Sequence, residues 1–323
     1  MAMFTTGWAY ALTPGLRRWF KSGEDMFQGV HQEVLRVESS TRNYEEYASR
    51  VGFGMLQERI LQGANYHLED PLMGWVTRIK PKEYSLGYAV GLIMLEDNLY
   101  KSAFNLAEDL GDSSTYTREF HGMEFWNNAA ATNQADGVPL LSVAHPLKGG
   151  GTFSNRPAAA TAPSIGAYKA ALANAATAVN QKNMYRPWVP EIVLGAALDE
   201  WTWRQILYEG KFPDSGIVRW NQAAGTDTSV SPTGAAAGDV TINRAIVAGS
   251  RNVRLVLSPF LAQGTWFLLG PKQRRQQMFL DRVKPGVRTD DNIQNDNVET
   301  RIRTRYEIGS ADFYGVYGSV AGM

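Results

Sequence analysis

Cysteine is absent from this sequence of 323 residues. Disulfides, thiolate metal sites, iron–sulfur clusters and cysteine nucleophiles are excluded together. Net charge is missing too: 32 basic and 32 acidic side chains sum to a formal charge of zero. A dedicated DNA-binding domain or a polybasic tail has a different balance. Long apolar runs do not occur. The longest, Tyr88–Leu95, falls far short of the ~20 residues that cross a bilayer. The opening MAMFTTGWAYALTPGLRRWF puts its positive charge after the apolar part, the reverse of a secretory signal. These absences predict a soluble protein made in a cytoplasm, with no membrane partner.

Catalytic signatures are also lacking. No G-x-x-x-x-G-K-[ST], G-x-G-x-x-G after a strand, G-x-S-x-G or H-E-x-x-H occurs. Gly149–Gly151 has no following Lys-Ser/Thr to cradle a phosphate, and reads as a hinge or surface loop. The histidines, His31, His67, His121 and His145, are too scattered to form a local zinc pair. Ser142 and His145 lie close in LLSVAHP, but no strand-to-helix elbow surrounds the serine. A Ser/His hydrolase is therefore a distant alternative. Asp290–Asn297 lacks the order of a calcium loop. No enzyme activity, metal or cofactor is expected.

What is present is a sizeable apolar fraction, 44%, with 20% charged residues. A chain of this length buries roughly 75% of its unfolded surface, enough for about two cores. Residues 1–65 show no long period. Pro14-Gly15 breaks the opening, and Arg17, Arg18 and Lys21 form a small basic cluster, read as a solvated face or an arm. Tyr47, Val51, Met55 and Leu56 suggest a helix within Asn43–Ile60. In 70–92, Trp75, Thr77 and Ile79 alternate with Val76, Arg78 and Lys80, and after Pro81-Lys82 a second alternation starts with Tyr84, Leu86 and Tyr88. That pattern predicts a hairpin, and a two-stranded ribbon is marginal unless it lies on something.

Leu92, Leu95, Leu99, Ala103, Leu106 and Leu110 make one helical stripe. After a dip at Gly111-Asp112, Tyr116, Phe120, Met123 and Trp126 continue it. One long helix or two collinear ones are expected over about 93–131, on the order of 55–60 Å in length. Ser164 should cap a helix carrying Ile165, Tyr168, Leu172, Ala175 and Val179. A strand near Trp188–Leu194 and a helix near Ala197–Tyr208 follow. Residues 221–245 read as a long Gly/Ala-rich surface loop. Strands are expected at 253–257 and 265–270, and a closing one near Asp312–Tyr317. In RIRTRYEI, Arg301, Arg303 and Arg305 share one strand face, with guanidinium groups ~7 Å apart. Salt bridges within or between subunits, or a nucleic-acid-facing strip, both fit such a face. The class is α+β without alternating βαβ units.

Three stretches carry a resemblance. GYAVGLIMLEDNLYKSAFNLAEDLG at 87–111 is followed by EFHGMEFWNNAAA at 119–131. DGVPLLSVAHPLKGGGTFSN at 136–155 is the sharpest. LVLSPFL and TWFLLG within 255–270, with RIRTRYEIGSADFYGVYGS at 301–319, form the third. Together they resemble the major capsid proteins of tailed bacteriophages, the family with the Hong Kong 97-like fold. The resemblance implies an N-arm at 1–65 and an E-loop hairpin at 66–92. It implies a peripheral domain at 93–165 and 271–311, with a long spine helix, and an axial domain at 166–270 and 312–323.

It further implies self-assembly into hexamers and pentamers of an icosahedral shell around double-stranded DNA, with a portal, a separate scaffold and decoration proteins as partners. The location would be the virion, after assembly in the bacterial host cytoplasm. Trp75, Ile79, Tyr84 and Leu86 would lie on a neighbouring subunit, and the 221–245 loop would join the contact at a ring centre. An encapsulin-type nanocompartment shell is the nearest alternative.

Overall fold

A computed structural model describes residues 7–27, 29–58, 67–70, 72–91, 100–209, 253–292 and 297–322. The chain divides into two compact units. The first is drawn from Met1–Ser49, Trp75–Asn128 and Gln276–Asp312; the second from Arg50–Gly74, Ala129–Arg275 and Phe313–Met323. Residues 129–165, expected with the long-helix domain, thus cluster with the second unit.

The first unit opens with helix α1 (Gly7–Met26) and a single turn, α2 (His31–Val34). Strands β1 (Arg36–Ser39), β2 (Glu45–Ala48), β3 (Val76–Ile79) and β4 (Lys82–Gly91) follow. Helix α3 runs from Tyr100 to Asn127 without interruption. Its 28 residues span about 42 Å. Leu92, Leu95 and Leu99, at the head of the expected stripe, lie outside the described residues. Two long strands, β10 (Gln277–Asn292) and β11 (Asn297–Ser310), return late in the sequence. They form a four-stranded sheet in the order β1-β10-β11-β4. β1 is parallel to β10; β11 is antiparallel to both β10 and β4.

Both helices pack on one face of that sheet. Phe20 of α1 and Leu110 of α3 meet Val287 and Ile302, and Ala103 meets Val90 and Val298. The dip at Gly111 does not break the helix. It is where α1 crosses. A Cβ on Gly111 would strike the Phe20 carbonyl, and one on Gly23 the Glu108 carbonyl. Close packing on α3 also accounts for α1 tolerating Pro14, which removes one of its hydrogen bonds. The buried face of α3 runs through Ala103, Ala107, Leu110, Ser114, Arg118, Glu119, Met123 and Trp126. Tyr116 and Phe120, expected on that stripe, are exposed.

The second unit holds a short pair, β5 (His145–Pro146) with β6 (Thr152–Phe153). Helix α4 (Ile165–Ala176) is capped by Ser164, whose Oγ accepts from the Ala167 N–H at 3.1 Å. Strand β7 (Ile192–Ala196) leads through a 3₁₀ turn into α5 (Glu200–Arg204) and a π turn. With β8 (Arg254–Ser258), β9 (Trp266–Leu269) and β12 (Val316–Ser319) it forms a sheet in the order β12-β9-β7-β8. Its core is aromatic: Trp203 meets Trp266 edge-on at 5.6 Å and Tyr168 at 6.3 Å. Each tryptophan is fully buried, worth about 4–6 kcal/mol of transfer free energy. The expected 221–245 loop lies outside the described residues.

Candidate assembly surfaces

The hairpin expected at 70–92 does not form as such. β3 pairs with β2, in the register Glu45↔Ile79 to Ala48↔Val76, whereas β4 pairs with β11. Over the described residues 43–58, β2 and irregular chain replace the helix expected within Asn43–Ile60. The ribbon of this protein is therefore β2 with β3. Its root is fastened by Arg78, whose guanidinium pairs with Glu46 at 2.6 Å and lies 4.4 Å above the Tyr44 ring. Its far end closes at two bonds: Ser49 N–H donates to the Trp75 carbonyl and Trp75 N–H to Ser49 Oγ, each at 2.8 Å.

The position of the four expected contact residues follows. Ile79 is 3% exposed and packs among Met278, Leu280 and Ala311 of its own unit, so it is a core residue and not a contact residue. Tyr84 is half-buried, stacked on Tyr306 at 4.6 Å. Trp75 is half-buried at the ribbon's end. Leu86 is 52% exposed.

Between Ser49 and Trp75 runs a segment that the alternation did not single out. Phe53, Met55, Leu56, Leu68, Leu72 and Met73 are all exposed there, Met55 at 85% and Leu68 at 89%. Polar contacts hold parts of this segment. Glu69 pairs with Lys182 and accepts from the Gly54 N–H at 2.7 Å. The bond from Lys182, then that from Gly54, hold the Glu69 carboxyl below the usual carboxylate range. Exposed large apolar side chains are thus concentrated along this one stretch of the described residues.

The arginine strip faces carboxylates of its own sheet. Arg301 meets Asp290 and Arg303 meets Glu83, both at 2.9 Å, while Arg305 lies 3.9 Å from Glu83. Ile302, Thr304 and Tyr306 occupy the opposite, buried face. Exposed pairs of this kind contribute about 0–1 kcal/mol each.

The Ser142/His145 pair is not a catalytic dyad. His145 is 0% exposed, with Nδ1 2.7 Å from Asp136 and Nε2 3.2 Å from both the Leu140 carbonyl and Asn155 Oδ1. Ser142 Oγ accepts from the Ala144 N–H at 3.2 Å. Asn155 completes the knot, accepting from Ser142 N–H and donating to Leu140 O. The His145 ring stacks on Phe313 at 4.1 Å. The D-G…S-x-x-H-P…S-N pattern is thus a buried clamp that shapes residues 136–155. Among the described residues no cluster of His, Asp or Glu is placed to hold a metal ion, and no helix is long and apolar enough to cross a membrane.

No family model and no curated protein matches the sequence. Solved structures do match the fold. The procapsid of bacteriophage JBD30 is similar over 97% of this chain and 75% of that one, at 14% identity and a TM-score of 0.50. A virus-like particle from Pyrococcus furiosus is similar over 95% and 98%, at 8% identity and a TM-score of 0.53. The capsid of a native GTA particle is similar over 91% and 92%, at 10% identity and a TM-score of 0.52. The chain has the Hong Kong 97-like fold. Within the Hong Kong 97-like fold of this chain, the α3-backed sheet and the tryptophan-centred sheet are the two compact units described above.

Proposed function

We propose that this chain is the structural major capsid protein of a tailed double-stranded DNA bacteriophage. One observation carries the reading: more than nine-tenths of the chain shares its fold with chains from a procapsid, a virus-like particle and a capsid. Identical copies would join in rings of five and six, through heterologous contacts that close, and the rings would tile an icosahedral shell. In this reading the β2/β3 ribbon with residues 50–74 is the E-loop, displaced from the 66–92 expected, and α3 is the spine helix. The first unit corresponds to the peripheral domain and the second to the axial domain.

The exposed Phe53, Met55, Leu56, Leu68, Leu72 and Met73 would cover a neighbouring subunit, which explains why they stand in water in a single chain. Leu86 adds to the available apolar surface. The packaged DNA would be held without base readout, by charge and confinement. Portal, separate scaffold and decoration proteins are the expected partners, and the virion is the expected location.

The likeness to the Pyrococcus furiosus particle over 98% of that chain supports a second reading, an encapsulin-type nanocompartment. The content of the particles separates the two. Particles made together with the portal and packaging proteins should contain nuclease-resistant double-stranded DNA. A protein cargo in place of DNA favours the nanocompartment and overturns the phage reading.

A further inference from the structure

A continuous column of rings crosses the first unit. Tyr84 of β4 stacks on Tyr306 of β11 at 4.6 Å, and Tyr306 on Phe279 of β10 at 4.9 Å. Phe279 meets His31 of α2 at 5.2 Å. Each end carries a histidine bonded to a fixed partner. His31 Nδ1 lies 2.7 Å from Glu119 Oε2, and the same oxygen accepts the His31 backbone N–H at 2.8 Å. His121 of α3 packs against Tyr84 at 4.8 Å, with its Nδ1 2.8 Å from the Tyr306 hydroxyl. Arg118 lies over both Phe279 and Tyr306, at 5.0 and 5.5 Å, and pairs with Asp281 at 2.8 Å. Every element of the four-stranded sheet but β1 contributes a ring, and α2 and α3 supply the histidines.

We propose that this column is an acid-sensitive clasp: protonation of His121 loosens the edge strand β4 from α3 while the second unit stays folded. The chemistry lies at one bond. Tyr306 is buried and its phenol pKa is pushed up by desolvation, so the hydroxyl keeps its proton, and with His121 neutral and protonated on Nε2 it donates to Nδ1. An imidazolium has no lone pair at Nδ1. The hydroxyl must then turn, and a charge appears in a half-buried site.

The groups facing His121 are Glu124 on its own helix, Lys82 and Tyr84 on β4, and Glu307 and Tyr306 on β11. Lys82 and Glu307 are already paired with each other at 2.9 Å. Glu119 faces the His31 end, and Arg118 and Asp281 face Tyr306.

Burial lowers the His121 pKa and outweighs the pull of Glu124 and Glu307. The sign follows. A histidine lowered in the folded state favours folding above its unfolded value of ~6.5, and that contribution is lost as pH falls through the two values. β4 is the place where the loss shows. It is an edge strand, held on one side by β11 alone, and Tyr84 is its contact with the column.

Hydrogen exchange read by mass spectrometry on the full chain tests this, at about pH 7.5 and about pH 5.5, with rates corrected for intrinsic chemistry. The corrected exchange of peptides within 82–91 should rise by roughly threefold or more in acid, while peptides from β7 stay unchanged. His121→Phe keeps a ring in the column and removes the titration, so its exchange should not depend on pH. His121→Gln keeps an acceptor for Tyr306 and serves the same purpose should the phenylalanine variant fail to fold. No rise in the native chain overturns the proposal, and so does an equal rise in the folded variant.

Discussion

Leu56→Asp combined with Leu68→Asp is expected to give a folded chain that no longer forms shells. Leu56 and Leu68 stand free of the protein's own core, so neither substitution removes an intramolecular contact of note. The melting temperature should therefore match that of the native chain. Covered by a neighbouring subunit, each leucine would contribute about 1.5–3 kcal/mol. Losing both costs about 3–6 kcal/mol per copy, or roughly two to four powers of ten in association constant. A carboxylate enclosed in the same apolar contact adds a further penalty. Because every copy in a closed shell makes the contact, the effect repeats around each ring. Size-exclusion chromatography with electron microscopy reads the outcome, and circular dichroism confirms that the fold is intact. Particles at the native yield would remove residues 50–74 from the assembly contact.

Arg118→Ala is the largest expected loss of stability within the chain. The guanidinium reaches Asp281 at 2.8 Å, and the two side chains are 11% and 5% exposed. It also lies over the Phe279 and Tyr306 rings, at 5.0 and 5.5 Å from their centres. Removing it leaves the Asp281 carboxylate in a dry site without its cation. Breaking a buried pair from one side costs about 3–5 kcal/mol, far more than the pair is worth against an apolar replacement. The midpoint of urea unfolding should fall accordingly. Asp281→Asn in the same chain should restore a large part of the loss, since the stranded charge is the main cost. A change below about 1 kcal/mol in the single variant would show that Asp281 finds solvent or another partner.

Much of the fold was legible from periodicity where one face is buried and one is wet. The Arg301/Arg303/Arg305 alternation marks β11, whose other face, Ile302, Thr304 and Tyr306, is buried. Ser164 and the stripe after it mark α4. Of the leucine stripe that predicts the long helix, Leu110 is buried and Leu106 is exposed, and the buried face runs through Ala103, Ala107, Leu110, Ser114, Met123 and Trp126, turned away from Tyr116 and Phe120. Local signals misled where tertiary contacts decide. Pro14-Gly15 hid α1, which α3 holds in helical form. Pro285-Gly286 hid β10, which absorbs them in register shifts between Asp281, Val283 and Gly286.

The alternation places the ribbon on the wrong strands for a similar reason. Pro81-Lys82 looks like a turn between two alternating runs, yet β3 leaves for β2 while β4 joins β11. EEYA of β2 has weak strand character of its own, and no local rule links it to residues 76–79. Between the two strands, Val51, Met55 and Leu56 read as one side of a helix. Only burial reveals that Val51 is inside and the other two are not. Apolar residues without a consistent period, between two short strands, were the available signal for a surface meant to be covered.

We propose that this chain completes its packing on identical copies of itself. Electron microscopy of the purified chain, expressed with a candidate scaffold and without it, decides whether it does. Closed isometric particles built from five- and six-membered rings are the predicted result. A chain that stays monomeric in both preparations at high concentration, with residues 50–74 protected from protease, would contradict it.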